Sequence, residues 1–220
     1  MAAAAADNPV TGPVDSLEVR WIAPGPLRTA MREWFARFPA ETERREDIYL
    51  LQPRLRGLSV KLRDHGALDV KACLGSPGVP GLPARGRPES WRKWSFPCDP
   101  PDPAGAAPAG WITVRKHRLS SWFPLTASRD PGPAPQEAGR PGCAVELTEF
   151  HVRSETWWTL GFEATGPAGL RPDALRQAAS LVFAQPLPAG VELGLDNSWS
   201  YAQWLHDRLG PGAGDATHPT

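Results

Sequence analysis

The chain has 220 residues, 41% of them hydrophobic, and its 24 basic and 24 acidic residues leave it formally uncharged. That suits one domain with tails and excludes a general polyanion-coating surface, so any basic function must come from local placement. Three scattered cysteines lack metal-ligand spacing and fit a reducing compartment. The start MAAAAADNP lacks a signal-peptide pattern, and no apolar run has membrane-span length. The expected location is cytoplasmic, with no membrane partner.

Residues 1–14 read as a disordered lead-in, 15–209 as the domain and 210–220 as a second tail. The first strand alternates, with Leu17, Val19 and Trp21 on one face and Glu18 and Arg20 on the other. Pro24-Gly25-Pro26 ends it. A helix over Leu27 to Phe38 follows, with Met31, Trp34 and Phe35 in its stripe. Asp47 to Leu51 reads as a strand.

Gly57 to Lys71 is a hairpin turning at Asp64-His65-Gly66, where glycine supplies a positive φ. Leu58, Val60 and Leu62 form its apolar face, opposed by Ser59, Lys61 and Arg63. Beyond the turn, Leu68 and Val70 oppose Asp69 and Lys71. A long irregular connection, Gly75 to Ser90, leads to a short strand, Trp91 to Phe96. There Arg92, Trp94 and Phe96 share a face, and Arg92 joins the polar set. After a second loop, Trp111 to Arg118 is the most basic strand. Either Arg115 and His117 or Lys116 and Arg118 face inward, since a one-residue slip exchanges them.

Beyond a third loop, 129–142, Cys143 to Val152 and Trp157 to Ala164 form a hairpin. Helices follow over Gly169 to Ala184 and around Tyr201, Trp204, Leu205 and Leu209, the last capped by Asn197 or Ser198. About eight mostly antiparallel strands, with one helix early and two late, make an α+β protein.

Curling this sheet, with helices over its apolar faces, gathers Glu18, Arg20, Lys61, Arg63, Lys71, Arg92 and Glu163 inside. Interior charges are costly unless paired or bound, and basic groups outnumber acids, so the natural guest is a polyanion held by charge-assisted bonds. The few carboxylates would hold a divalent cation, Mg2+ or Mn2+, bridging phosphate oxygens. No zinc-ligand histidine spacing, Gly-rich phosphate loop or nucleophile motif is present. Framework packing is favoured over base stacking for Trp91, Trp94 and Trp111.

The order of these motifs resembles the CYTH superfamily, the triphosphate tunnel metalloenzymes, over roughly Leu17 to Leu209. That family opens with Glu-x-Glu-x-Lys, and Ser16-Leu17-Glu18-Val19-Arg20 is similar, with Ser for the first Glu and Arg for Lys. Its basic strands look like Val60-Lys61-Leu62-Arg63 and Leu68-Asp69-Val70-Lys71. Its later Lys-x-Arg resembles Lys116-His117-Arg118, which favours that register. Its closing acidic strand resembles Leu160-Gly161-Phe162-Glu163, and Ser200-Tyr201 with Leu205 its final helix.

The resemblance implies an eight-stranded antiparallel tunnel-like β-barrel with flanking helices and metal-dependent hydrolysis of a triphosphate or short polyphosphate. Glu18 and Glu163 would be catalytic, and Glu18, Glu146 and Glu163 the metal ligands, with Glu149 the other candidate. Arg20, Lys61, Arg63, Lys71, Arg92, Lys116 and Arg118 would bind substrate. The implied guest is a small triphosphate or inorganic polyphosphate, with no nucleic-acid polymer expected. Ser16, Gly161 and Ala164 leave carboxylates scarce, which keeps open an anion-binding domain without metal chemistry. The tryptophans and Pro-rich loops suggest a third reading, a protein-interaction domain.

Overall fold

The computed structural model describes residues 12–51, 56–64, 66–99, 109–127 and 140–210. Residues 1–11, residues 211–220, His65 and much of the second and third loops lie outside that set. Among the described residues, eight strands close into an antiparallel barrel in the order β1-β5-β4-β3-β2-β6-β7-β8, with β8 returning to β1. The strands are β1 (Val14–Pro24), β2 (Glu41–Leu50), β3 (Leu58–Arg63), β4 (Ala67–Gly75), β5 (Glu89–Pro97), β6 (Trp111–Pro124), β7 (Gly142–Val152) and β8 (Glu155–Thr165). Three α-helices accompany them: α1 (Thr29–Phe35), α2 (Arg171–Val182) and α3 (Tyr201–Leu209). Closure removes the sheet edges that would otherwise template aggregation.

The fold class is as expected, but several elements differ in extent. β2 begins at Glu41 rather than Asp47, and β6 runs to Pro124 rather than Arg118. The run Glu41 to Glu46 has charge on both faces, so it shows no apolar alternation. The ladder with β6, from Glu41 opposite Ser120 to Leu50 opposite Trp111, makes it a strand. Helix α1 starts later than expected because Arg28 is extended, at φ −63° and ψ 143°. Ser200, not Asn197 or Ser198, caps α3, its hydroxyl accepting from the Gln203 N–H. Gly66 has the positive φ expected of the β3–β4 turn, 81°.

Two apolar clusters organise the packing. The first lies outside the barrel, where α1 and α2 cover Leu17, Val19, Trp21, Val145, Leu160 and Phe162. Trp21 meets Phe162 and Phe183 edge-on, with ring centroids 6.1 and 6.2 Å apart. The Gly75–Ser90 connection presses on the same wall, and a Cβ on Gly86 would stand 2.5 Å from Val19 Cγ2. The second cluster fills one end of the barrel. There Trp204 and Leu205 of α3 pack on Ile22, Tyr49, Val114, Phe150 and Trp157. Leu62, Val70 and Trp94, on the outer face of β3–β5, stay half-buried. Among the described residues no helix is long and apolar enough to cross a membrane.

Candidate functional site

Directly opposed residues in an antiparallel ladder share a face, so one lumen residue fixes its neighbours around the barrel. Glu18 stands opposite Glu163 on β8 and Glu89 on β5. Lys71 stands opposite Ser59 and Lys93, and Lys61 opposite Tyr49 and Asp69. Arg45 faces Lys116 across β2–β6, and Glu43 faces Arg118. The result is a lumen of about 500 Å3, within the usual size of small-molecule sites. Nine basic side chains line it (Arg20, Arg45, Lys61, Arg63, Lys71, Arg87, Lys93, Lys116 and Arg118) against five carboxylates (Glu18, Asp69, Glu89, Glu146 and Glu163). Counting buried Asp47 and rim Glu43 with the acids still leaves cations in excess.

Of the residues expected to meet, Glu18, Arg20, Lys61, Arg63, Lys71, Lys116, Arg118, Glu146 and Glu163 all line this lumen. Arg115 instead leaves the barrel to pair with Glu46 at 2.8 Å. Arg92 requires a correction: it lies on the outer face, held by Asp15 at 2.6 and 3.0 Å. Because Lys93 is paired with Lys71, β5 turns Trp91, Lys93 and Ser95 inward and Arg92 outward. Glu149 is also external, accepting from the Leu27 N–H at 2.8 Å just before α1 and pairing with Arg32 of α1 at 3.3 Å. Sequence reasoning missed Arg45, Arg87, Lys93, Tyr49 and the hub Asp47. Extending the Asp47–Tyr49 alternation backward would have found Arg45.

Asp47 is wholly buried and anchors the first of three charge clusters. Lys116 Nζ donates to it at 2.8 Å, with Arg45 at 3.5, Lys61 at 3.6 and Arg63 at 3.9 Å. Burial alone would raise its pKa, but Lys116 and the cations beside it hold it well below the carboxylate range. Burial in turn pushes Lys116 down to about 8, against the pull of Asp47, and pushes Lys61 well below an ordinary lysine. The rings of Tyr49 and Tyr201 lie 4.7 and 4.4 Å from the Lys116 ammonium.

Glu146 forms the second cluster, between Arg118 at 2.5 Å and Arg20 at 3.2 Å. Burial opposes ionisation, yet the two guanidiniums hold it well below the usual range. Arg20 can lie across β8 because Gly161 stands opposite; a Cβ there would come within 2.7 Å of Arg20 Cζ. The third cluster joins Glu18, Lys71 and Glu163. Lys71 donates to Glu18, which also accepts from the Ser16 hydroxyl, and Lys71 Nζ lies 3.7 Å from Glu163 Oε1. Burial and the facing Glu163 raise the Glu18 pKa, and Lys71 lowers that of Glu163. Burial works against the Lys71 charge, but the two carboxylates hold its pKa above the ordinary value.

This donor set does not fit the divalent cation implied by the family resemblance. Among the described residues no three His, Cys, Asp or Glu side chains converge in a metal-binding arrangement. Glu146 is engaged by two guanidiniums, and an ammonium stands between Glu18 and Glu163.

No protein-family model and no curated protein matches the chain. Among solved structures it resembles a conserved hypothetical protein from Pyrococcus furiosus, at 13% identity and a TM-score of 0.43, over 84% of this chain and 98% of that one. It resembles the PH1819 protein of Pyrococcus horikoshii OT3 at 12% identity and 0.42, over 87% and 99%. The S. pombe Pct1 RNA triphosphatase, in complex with the Spt5 CTD, matches at 12% identity and 0.36, over 81% and 86%. These are distant likenesses of fold.

Proposed function

We propose that the barrel binds a linear triphosphate or short polyphosphate in its lumen. The observation carrying this reading is the convergence of nine cations, eight of them on six different strands, on one cavity of about 500 Å3. Asp47 and Glu146 hold most of these cations in place, so the guest meets a preorganised site and little ordering cost remains. A polyanion also offsets the desolvation of Lys61 and Lys116, which burial drives toward their neutral forms. A linear guest spans several clusters; a single phosphate reaches one. Thermal-shift measurement at matched ionic strength tests the reading. Tripolyphosphate should stabilise strongly and orthophosphate weakly, and equal shifts with chloride and tripolyphosphate would refute it.

Hydrolysis of the bound guest, with Glu18 and Glu163 as the catalytic carboxylates, is the second reading. It is favoured by their direct opposition across the β1–β8 ladder. Phosphate release in Mg2+ or Mn2+ that Glu163→Gln abolishes would establish it, and binding without turnover would leave a binding domain. The protein-interaction reading has less support, because all ten tryptophans are buried or half-buried.

A further inference from the structure

We propose that the Lys71 ammonium is the resident cation of the Glu18–Glu163 pair, so that the lumen takes phosphate groups without a divalent metal ion. The second half of this inference rests on the polyanion reading above; the first half stands on geometry alone.

Glu18 and Glu163 are opposed in the β1–β8 ladder, and their side chains are only 16% and 27% exposed. Two like charges so placed repel one another and need a cation between them. Lys71 supplies it from β4, beyond the intervening β5, bonding Glu18 and standing 3.7 Å from Glu163 Oε1. The Trp91 ring, 5.9 Å from the ammonium, lines its approach. Buried Ser16 donates its hydroxyl to the same Glu18 oxygen that Lys71 holds.

A metal ion would therefore have to expel an ammonium and a hydroxyl donor from its first ligand. Among the described residues no third carboxylate converges on the pair: Glu146 is engaged by Arg20 and Arg118, and Glu89, opposite Glu18 on β5, accepts from the Trp91 indole N–H at 3.1 Å. An ammonium has three donors. Glu18 accepts one of them and Glu163 attracts the same charge from 3.7 Å, so donor capacity remains for a phosphate oxygen. A single ammonium thus holds the carboxylate pair together and contacts the guest, the two tasks a bridging metal would perform.

Mn2+ titration followed by electron paramagnetic resonance tests the first half on wild-type protein, Lys71→Met and Lys71→Arg. Wild type and Lys71→Arg should hold no stoichiometric Mn2+. Lys71→Met should gain a site tighter by on the order of tenfold or more, and adding Glu163→Gln should remove the gain. A wild-type site that Glu163→Gln abolishes, or a Lys71→Met protein no tighter than wild type, would overturn the assignment. Should Lys71→Met not fold, the wild-type titration decides by itself.

The second half is read from the tripolyphosphate thermal shift of wild-type protein in EDTA and in excess Mg2+. The shift should persist in EDTA and be smaller in Mg2+, which lowers the charge of the free guest. Stabilisation seen only with Mg2+ contradicts metal independence. Absence of a shift in both conditions removes the polyanion reading, and the Mn2+ comparison then still decides the role of Lys71.

Discussion

At the scale of single residues, Lys116 makes the lumen sensitive to alkaline pH. Burial lowers its folded pKa from 10.5 to about 8, so between those values the unfolded chain keeps a proton that the folded chain has released. The Lys116 contribution to stability therefore rises with pH across that window; Lys61 acts in the same direction, and the buried Cys143 thiol, which burial holds above its ordinary pKa, acts in the opposite one. Denaturant unfolding of wild type and Lys116→Met at a series of pH values should isolate it, the stability difference between them shifting in favour of wild type as pH rises. A polyphosphate guest, as proposed above, would reverse the shift by favouring the charged lysine. Calorimetry between about pH 8 and 10, in buffers of different ionisation heat, should then show proton uptake on binding. Gly161 acts at the same scale. The Cβ of Gly161→Ala would meet the Arg20 guanidinium at 2.7 Å, and the flexible end of Arg20 must move and release Glu146. The expected cost is about 1.5–3 kcal/mol of stability, the value of one charged hydrogen bond, together with weaker tripolyphosphate binding.

At the scale of elements, β5 and α3 set what the lumen presents. The β4–β5 register decides which of two adjacent cations faces the lumen, and it selects Lys93. Lys93→Ala should weaken tripolyphosphate binding by about tenfold, the lower end for a lost charged contact. Arg92→Ala should leave binding unchanged, since Arg92 pairs with Asp15 on the outer face. Titration calorimetry of the two variants reads this register directly; the opposite pattern would put Arg92 inside. Helix α3 closes one end of the barrel. Trp204 meets Phe150 and Trp157 at 5.3 and 4.9 Å, and Tyr201 at its N-terminus stacks with Tyr49 beneath Lys116. The helix thus joins an apolar seal to the aromatic floor of a charged cavity.

At the scale of the whole molecule, α1 and α2 bury the outer apolar wall while the interior is charged, so the barrel is held partly by buried ion pairs. The Asp47 and Glu146 pKa values are both held below the usual range by surrounding cations. Their stabilisation is complete above the pKa of an unfolded carboxylate, about 4, and is lost as pH falls through the folded values. Acid titration should thus unfold the protein cooperatively, with near-ultraviolet circular dichroism reporting the loss of tryptophan packing. Replacing Asp47 with Asn should leave buried Lys116 without a carboxylate partner, while Arg63 and Lys61 keep Asp69 and Arg45 keeps Glu43, and destabilise by about 3–5 kcal/mol at neutral pH, measured by denaturant titration.

The residue pattern alone encodes the alternation of β1, β3, β4 and β8. It thereby placed Glu18, Arg20, Lys61, Arg63, Lys71 and Glu163 on faces opposite their apolar neighbours, because side-chain period follows from strand geometry alone. The helical stripes of α1, α2 and α3 were legible for the same reason. Arg45 was reachable only by extending the Asp47–Tyr49 alternation backward, because Glu41 to Glu46, charged on both faces, carries no hydrophobic signal and is a strand through its ladder with β6. The choice of Lys93 over Arg92 and of Lys116 over Arg115 depends on inter-strand register, which the chain fixes only on closing. Tertiary structure alone also decided that Glu146 is neutralised by Arg20 and Arg118 and that Lys71 stands between Glu18 and Glu163. Those contacts join strands far apart in sequence, and no local pattern encodes the distance between them.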